Sequence, residues 1–332
     1  MSEPLSLERV LDLATTVLGP VAGAVTLSGD ASTRRFLRLQ LASRGTIVAM
    51  VLDGAVDPAS HPQFLVGAYL ESRGLPVPHL QASIPGAGLL FYEDLGDTLL
   101  QDVVREVRLD EVERLYREAV AIIVTLQGEA TERLPRGHPA ASSALDEERF
   151  AFELRFFREH YVEGLRGLRF GPREAAILDA FMGSLAREAA APPWALCHRD
   201  FHSRNLLVQD ARLRLVDFQD ARLGPIAYDL ASLLRDSYVS LPPDLQSRLF
   251  DAFVAASPRQ VPDRAAFRER FEIVSLQRHL KVIGTFAYQS RTRGKTHYLP
   301  YIPPTWERVL STMNRLPRWR DALPILEAAA TG

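Results

Sequence analysis

Asp200, Asn205 and Asp217 lie in one short stretch of the chain, in the order carboxylate, amide, carboxylate. The run His198-Arg199-Asp200-Phe201-His202-Ser203-Arg204-Asn205 reads H-R-D-x-x-x-x-N. An apolar strand follows, then a turn, a second apolar strand and the pair Asp217-Phe218. Phosphoryl transfer needs one carboxylate beside the attacking hydroxyl and two oxygen ligands for magnesium, and this segment supplies all three in order. Asp200 has the position to accept or orient the hydroxyl proton. Asn205 and Asp217 have the positions to hold the metal that bridges nucleotide phosphates. A polar loop between core strands does not account for three oxygen-bearing residues at this spacing.

The neighbours of these residues divide into supports and contacts. His198 and Arg199 read as structural supports, and Cys197 as a small apolar packing residue. His202, Ser203 and Arg204 fall between base and metal ligand and should face the acceptor. From there Arg204 can stabilise charge that develops in the transition state. Gln219, Asp220 and Arg235, with His202, are candidate substrate contacts; Asp220 reads equally as a substrate or second-metal ligand and as a polar turn residue. Asp229 begins a predicted helix, Asp229–Tyr238, after Gly224-Pro225. An N-cap or a buried bond to the catalytic loop is expected of it.

Something must position these groups. The chain has 332 residues, 47% of them hydrophobic, and a formal net charge of -2, enough for two lobes with separate cores. That near-neutral balance argues against a nucleic-acid partner. No apolar run is long enough to span a bilayer. Cys197 is the only cysteine, which excludes an intrachain disulfide and fits a reducing compartment. The first residues lack a basic segment followed by an apolar one, so the cytoplasm is expected.

Leu7, Val10, Leu11, Ala14 and Leu18 recur at helical spacing, with Ser6 as a cap and Gly19-Pro20 as the stop. Strands are predicted at 24–27, 36–41, 46–52, 79–83 and 89–93, with a helix over 62–73. Phe36, Arg38 and Gln40 alternate with Leu37, Leu39 and Leu41, as a half-buried antiparallel strand requires. Glu93-Asp94-Leu95-Gly96-Asp97 is polar and separates two patterns, so the hinge is expected there. Beyond it the chain is mostly helical, with a long loop predicted over 129–146. The reading is an α+β protein with a small antiparallel-sheet lobe over residues 1–95 and a helical catalytic and substrate-binding lobe over 96–332.

In the first lobe, the loop Ser28–Arg35 is either a plain hairpin turn or a phosphate cover. Gly29, Ser32 and Thr33 suit the second role, and Arg34 or Arg35 can reach a phosphate. Protein kinases carry a lysine on the third strand, paired with a helix glutamate. Here Met50 stands about where that lysine would be, which leaves Glu71 as a surface residue. Gly294-Lys295-Thr296 fails as a P-loop because Gln289 stands where the first glycine belongs.

Three stretches together resemble the aminoglycoside phosphotransferase-like branch of the protein-kinase-like fold. They are His198–Asn205, Asp217-Phe218-Gln219-Asp220-Ala221 and Tyr228–Asp236. Gly29–Phe36, the lysine-free third strand and Gln277-Arg278-His279-Leu280-Lys281-Val282-Ile283-Gly284 are similar to a subgroup of it, the bacterial anomeric sugar kinases of cell-wall recycling. The resemblance implies a bilobal kinase fold, ATP and magnesium. It also implies transfer to the C1 hydroxyl of N-acetylmuramate or N-acetylglucosamine, a small-molecule partner. By carry-over Asp200 is the base, Asn205 and Asp217 are metal ligands, and the backbone of Glu93, Asp94 and Leu95 meets adenine. Two rivals remain: another small-molecule kinase of the fold (for an aminoglycoside, choline, homoserine or fructosamine), and a nucleotide-binding pseudokinase scaffold.

Overall fold

The computed structural model describes residues 5–27, 34–43 and 45–331. Gly29, Ser32 and Thr33, expected at the phosphates, lie outside the described residues. The chain divides into two compact units. One holds Met1–Leu99 together with Leu206–Gln219, and the other holds Leu100–Asn205 and Asp220–Gly332. The stretch Leu206–Gln219, counted with the helical lobe on sequence grounds, thus belongs to the first unit.

The first unit opens with helix α1 (Leu7–Leu18). Its first turn is capped by the Ser6 hydroxyl, which accepts the Arg9 N–H at 3.2 Å. Strands β1 (Val21–Leu27), β2 (Arg35–Leu41), β3 (Thr46–Val51), β4 (Leu80–Ile84) and β5 (Leu89–Glu93) form an antiparallel sheet in the order β1-β2-β3-β5-β4. Helix α2 (Pro62–Ser72) joins β3 to β4. Alternation decides the two faces. Leu37, Leu39 and Leu41 of β2 bury with Ile47, Ala49, Val51, Leu89 and Phe91 beneath Val10, Ala14 and Leu18 of α1. Met50, Leu90 and Tyr92 bury on the opposite face, with Phe36, Leu80 and Phe64 against them.

The same unit contains the hairpin strands Leu206–Gln209 and Arg212–Leu215. Val208 donates to the Thr98 carbonyl at 2.8 Å and Leu215 to that of Pro76 at 2.9 Å, which ties the hairpin to the end of the sheet. Phe218 is fully buried against α2. A Cβ at Gly67 would stand 3.0 Å from its ring, so the missing side chain allows the approach.

The second unit contains α3 (Leu100–Glu106), α4 (Leu109–Gln127), α5 (Glu129–Glu132), α6 (Glu147–Phe157), α7 (Pro172–Ala189) and α8 (Tyr228–Leu234). Helices α9 (Pro243–Ala256), α10 (Arg264–Arg293), α11 (Ile302–Arg315) and α12 (Leu323–Thr331) follow. A two-stranded ribbon, Trp194–Cys197 with Arg222–Pro225, carries the catalytic loop on its end. Helix α10 is the axis of this unit. A Cβ at Gly284 would meet the Phe157 Cα at 2.6 Å, so only glycine lets α10 lie this close to α6. Gly294, in the left-handed region at φ 69°, stops α10, so the Gly-Lys-Thr triplet is a helix terminus.

Two local expectations change. Residues 129–146 do not form an open loop. Thr131 accepts the Leu196 N–H at 2.8 Å, and Ala144 bridges to Leu223, so the segment is strapped to the ribbon. Helix α8 ends at Leu234 and not at Tyr238. The Asp236 carboxylate takes the Tyr238 N–H at 2.9 Å and the Ser203 N–H at 2.9 Å, which turns the chain out of the helix.

Candidate active site

The candidate residues divide between the two units, and each set has its own supports. In the helical unit, Asp200 stands on a tight turn. Its carbonyl accepts the His202 N–H at 3.0 Å and the Asn205 side-chain amide at 2.9 Å. With its NH₂ so occupied, the Asn205 side chain has its oxygen left to offer. Arg199, just before Asp200, holds a left-handed φ of 83°, which is uncommon for a side chain with a Cβ. The fully buried Asp229 holds it there: its carboxylate accepts the His198 N–H at 2.6 Å and the Arg199 N–H at 3.0 Å. Asp229 therefore makes the buried bond to the loop rather than an N-cap. Farther along, Asp236 accepts both the Ser203 N–H and the Ser203 hydroxyl, the latter at 2.5 Å. Two buried carboxylates thus pin the loop from below, through charge-assisted bonds to its main chain.

Lys281 of α10 donates to the Asp200 Oδ1 at 3.2 Å. Burial alone would push the Asp200 carboxyl up. The Lys281 ammonium, with Arg199 and Arg278, outweighs it and holds the carboxyl well below the usual range, so it is an anion at neutral pH. Arg278 donates to the Arg199 carbonyl at 3.3 Å and lies over the Tyr228 ring at 4.8 Å.

His202 packs edge-on against Tyr238, with 5.3 Å between centroids, and burial lowers its pKa so that the ring is neutral. The Arg204 guanidinium stacks on Tyr238 at 4.7 Å and also approaches Tyr298 at 5.9 Å. Arg235 is engaged elsewhere. It donates to Gln246 at 2.6 Å and to Glu272 at 3.1 Å, partners outside the catalytic loop, so the substrate contact expected of it has no support. Asp220 lies between Arg199 at 3.5 Å and Arg222 at 3.2 Å, and the turn-residue reading fits it better.

In the sheet unit, Asp217 follows the hairpin with a left-handed φ of 63°. Its Oδ1 accepts from Arg34 at 3.1 Å and from Gln219 at 3.1 Å, so Gln219 orients a carboxylate. Arg34 also donates to Gln63 of α2 at 3.3 Å. Glu93 and Asp94 spend their side chains on structure. Asp94 binds Arg38 of β2 at 2.6 Å, and Glu93 takes the His79 N–H at 2.9 Å and an ion pair with Arg214. The Asp94 carbonyl accepts from Gln209 at 3.2 Å, and Leu95 is buried. Glu71 is half-exposed and pairs with His79, as a surface residue would.

A model of the phosphotransferase enzyme family matches residues 23–269, a span that contains the Asp200 loop and the Asp217 hairpin. The chain belongs to that family. Relatives of the phosphotransferase include two proteins called N-acetylmuramate/N-acetylglucosamine kinase. The one from Pseudomonas putida is 31% identical over 304 residues, 90% of this chain and 86% of the relative. The one from Neisseria meningitidis serogroup B is 32% identical over 304 residues, 88% and 84% respectively. A solved choline kinase from Cryptosporidium parvum Iowa II superposes with a TM-score of 0.63 at 10% identity, covering 98% of this chain and 99% of that one. The phosphotransferase therefore has the protein-kinase-like fold. Among its described residues no helix is long and apolar enough to cross a membrane.

Sequence reading of the phosphotransferase does not tie Lys281 to Asp200, or Gln63 to Arg34. For Lys281 a signal was available: Gln277, Arg278, His279 and Lys281 crowd polar groups into one turn of a helix that is otherwise apolar there. Gln277, Arg278 and His279 are buried and Lys281 is partly buried.

Proposed function

We propose that this phosphotransferase moves the γ-phosphoryl group of ATP to the anomeric C1 hydroxyl of N-acetylmuramate or N-acetylglucosamine. The observation that carries the reaction type is the ionised Asp200, fixed on a loop pinned by Asp229 and Asp236 and bonded to Lys281. The acceptor rests on the relatives, which share that substrate name across most of the chain.

In this reading Asp200 orients the C1 hydroxyl and takes its proton. An anomeric hydroxyl is more acidic than an ordinary alcohol, so proton transfer can come late while positioning and electrostatics dominate. The Arg204 guanidinium and the neutral His202 face the acceptor, and Arg34 meets the nucleotide phosphates. The backbone at Glu93, Asp94 and Leu95 receives adenine. Asn205 and Asp217 supply an amide oxygen and a carboxylate, hard donors of the kind magnesium accepts beside phosphate oxygens and water. When bound, the ion neutralises charge on the phosphates. The cytoplasm, where nucleotide and recycled cell-wall sugars meet, is the proposed location.

A radiolabel screen tests this directly. With labelled ATP, magnesium and a panel of reducing amino sugars, aminoglycosides and choline, label should pass to the two N-acetylated sugars. Transfer to an aminoglycoside or to choline instead would move the protein to another acceptor class. No transfer across the panel would favour a scaffold.

A further inference from the structure

Kinases of this fold hold the α- and β-phosphates with a third-strand lysine that is paired to a helix glutamate. That pair is absent here. Met50 is buried on β3 among Leu90, Tyr92, Phe36 and Phe64, and Glu71 of α2 is bound to His79 at the surface. A cation nevertheless stands on the Met50 face. Phe36 of β2 is the register partner of Met50 and shares that face, and Arg34 lies two residues before it on the same chain. Its guanidinium reaches Gln63 at 3.3 Å and Asp217 at 3.1 Å.

Gln63 is the unusual part. It lies in the first turn of α2, 3% exposed, where an apolar residue would otherwise pack. Both ends of its amide are used: the oxygen accepts from Arg34, and the NH₂ donates to the Tyr92 hydroxyl at 3.0 Å. That chain of bonds runs from a strand next to the third strand, across α2, to a charged side chain beside Asp217. Burial pushes the Tyr92 phenol up to about 12, so it keeps its proton and stays a neutral partner. His61, the N-cap of α2, is lowered by burial and by Arg34, so no second positive charge competes at this corner.

We infer that Gln63, anchored by Tyr92, is the positioning residue that aims Arg34 at the nucleotide phosphates, so that an arginine–glutamine pair takes the place of the lysine–glutamate pair. The difference is chemical as well as positional. A glutamate would add a negative charge at this corner, whereas the neutral amide orients Arg34 without one; the carboxylate that Arg34 meets is Asp217, at 3.1 Å. A guanidinium has five N–H donors in a fixed fork, so it can bond Gln63 and phosphate oxygens together. The inference rests on the proposed reading only as far as the nucleotide and is independent of the sugar.

Calorimetric titration of magnesium-ADP into the full-length protein and its variants tests it, with a melting curve for each. R34A should weaken binding by roughly 10–100-fold, the loss of charge-assisted bonds to phosphate. Q63L should weaken it by about 10-fold, and Q63E, which can still hold the guanidinium but places a negative charge beside it, should weaken it by about 3-fold. Y92F removes one hydroxyl and should cost a few-fold; it carries the test if Q63L does not fold. Wild-type affinity in folded R34A, or in both Q63L and Y92F, would overturn the inference, as would a wild-type protein that binds no nucleotide. If the variants behave as expected but no amino sugar is phosphorylated, the acceptor assignment fails and the arginine–glutamine pair stands.

Discussion

Arg34 and Asp200 are each central to the proposed chemistry, and they are supported in opposite ways. Arg34 is oriented through its side chain, by a buried glutamine amide and the half-exposed Asp217. Asp200 stands on main chain that two buried carboxylates grip through N–H groups, and a lysine takes one of its oxygens. The difference follows from the task. A phosphate clamp meets a flexible polyanion and tolerates adjustment. A group that must take one proton has to sit within hydrogen-bond reach of it, and a shift of an ångström is costly. The helical unit therefore places its buried charges, and its left-handed Arg199, beneath the base.

That contrast can be broken most sharply at Asp200 itself. D200A should lower kcat by ~10²–10⁴ while nucleotide affinity stays near wild type. Steady-state kinetics with a parallel nucleotide titration would show it, and unchanged turnover would remove Asp200 from its role. Next comes the grip on the loop. D229A leaves the buried His198 and Arg199 N–H groups without their acceptor and should destabilise the helical unit by about 3–5 kcal/mol, read as a lower midpoint in urea. A midpoint equal to wild type would mean that the loop holds its shape unaided.

Lys281 gives a smaller and more selective effect. K281M should reduce kcat by about 10²-fold with the KM for ATP unchanged, because the base loses its fixed orientation, and K281R should recover part of the loss. A raised KM for ATP with intact kcat would instead place Lys281 among the nucleotide contacts. Near neutral pH the smallest effect is the one that depends on acidity. His279 lies inside α10, where burial, with help from Arg308, Arg235 and Arg278, pushes it down to about 3. The unfolded chain binds this proton near pH 6.5 and the native protein does not. Stability from this group is therefore present above pH 6.5 and falls as the pH drops toward 3, by about 1.4 kcal/mol per unit. Chemical melts of wild type and H279Q across that range should show a shallower slope in the variant, and equal slopes would assign the dependence to other groups.

Much of the sheet unit was legible because its elements announce themselves locally. Leu37, Leu39 and Leu41 alternate, Ser6 caps, and Gly19 stops. Asp200, Asn205 and Asp217 stand out for a related reason: their types and spacing fall in one short stretch of sequence, Asp200 and Asn205 on one loop and Asp217 just after a hairpin. What the sequence concealed depends on contacts far apart in the chain. Lys281 and Asp200 are 81 residues apart, and the polar cluster around Lys281 signals a task without naming its partner. Gln63 reads as an ordinary polar residue at the start of a helix, and only its burial against Tyr92 gives it a task. Apolar periodicity through Leu230, Leu233, Leu234 and Tyr238 predicts a longer helix than α8, which stops at Leu234. The Asp236 carboxylate binds Ser203 of another element and takes the chain out of the helix. Arg235 is a candidate substrate contact on sequence grounds, whereas in the fold Gln246 and Glu272 engage it.

The central claim is that Asp200 directs an anomeric hydroxyl at the terminal phosphate of ATP, and a phosphorus NMR spectrum of the product bears on it most directly. With N-acetylglucosamine or N-acetylmuramate as acceptor, the account predicts a new phosphomonoester whose phosphorus couples to the C1 proton of the sugar, absent in D200A. A product coupled to a proton at any other carbon, or the same C1 phosphate formed at full rate by D200A, would contradict it.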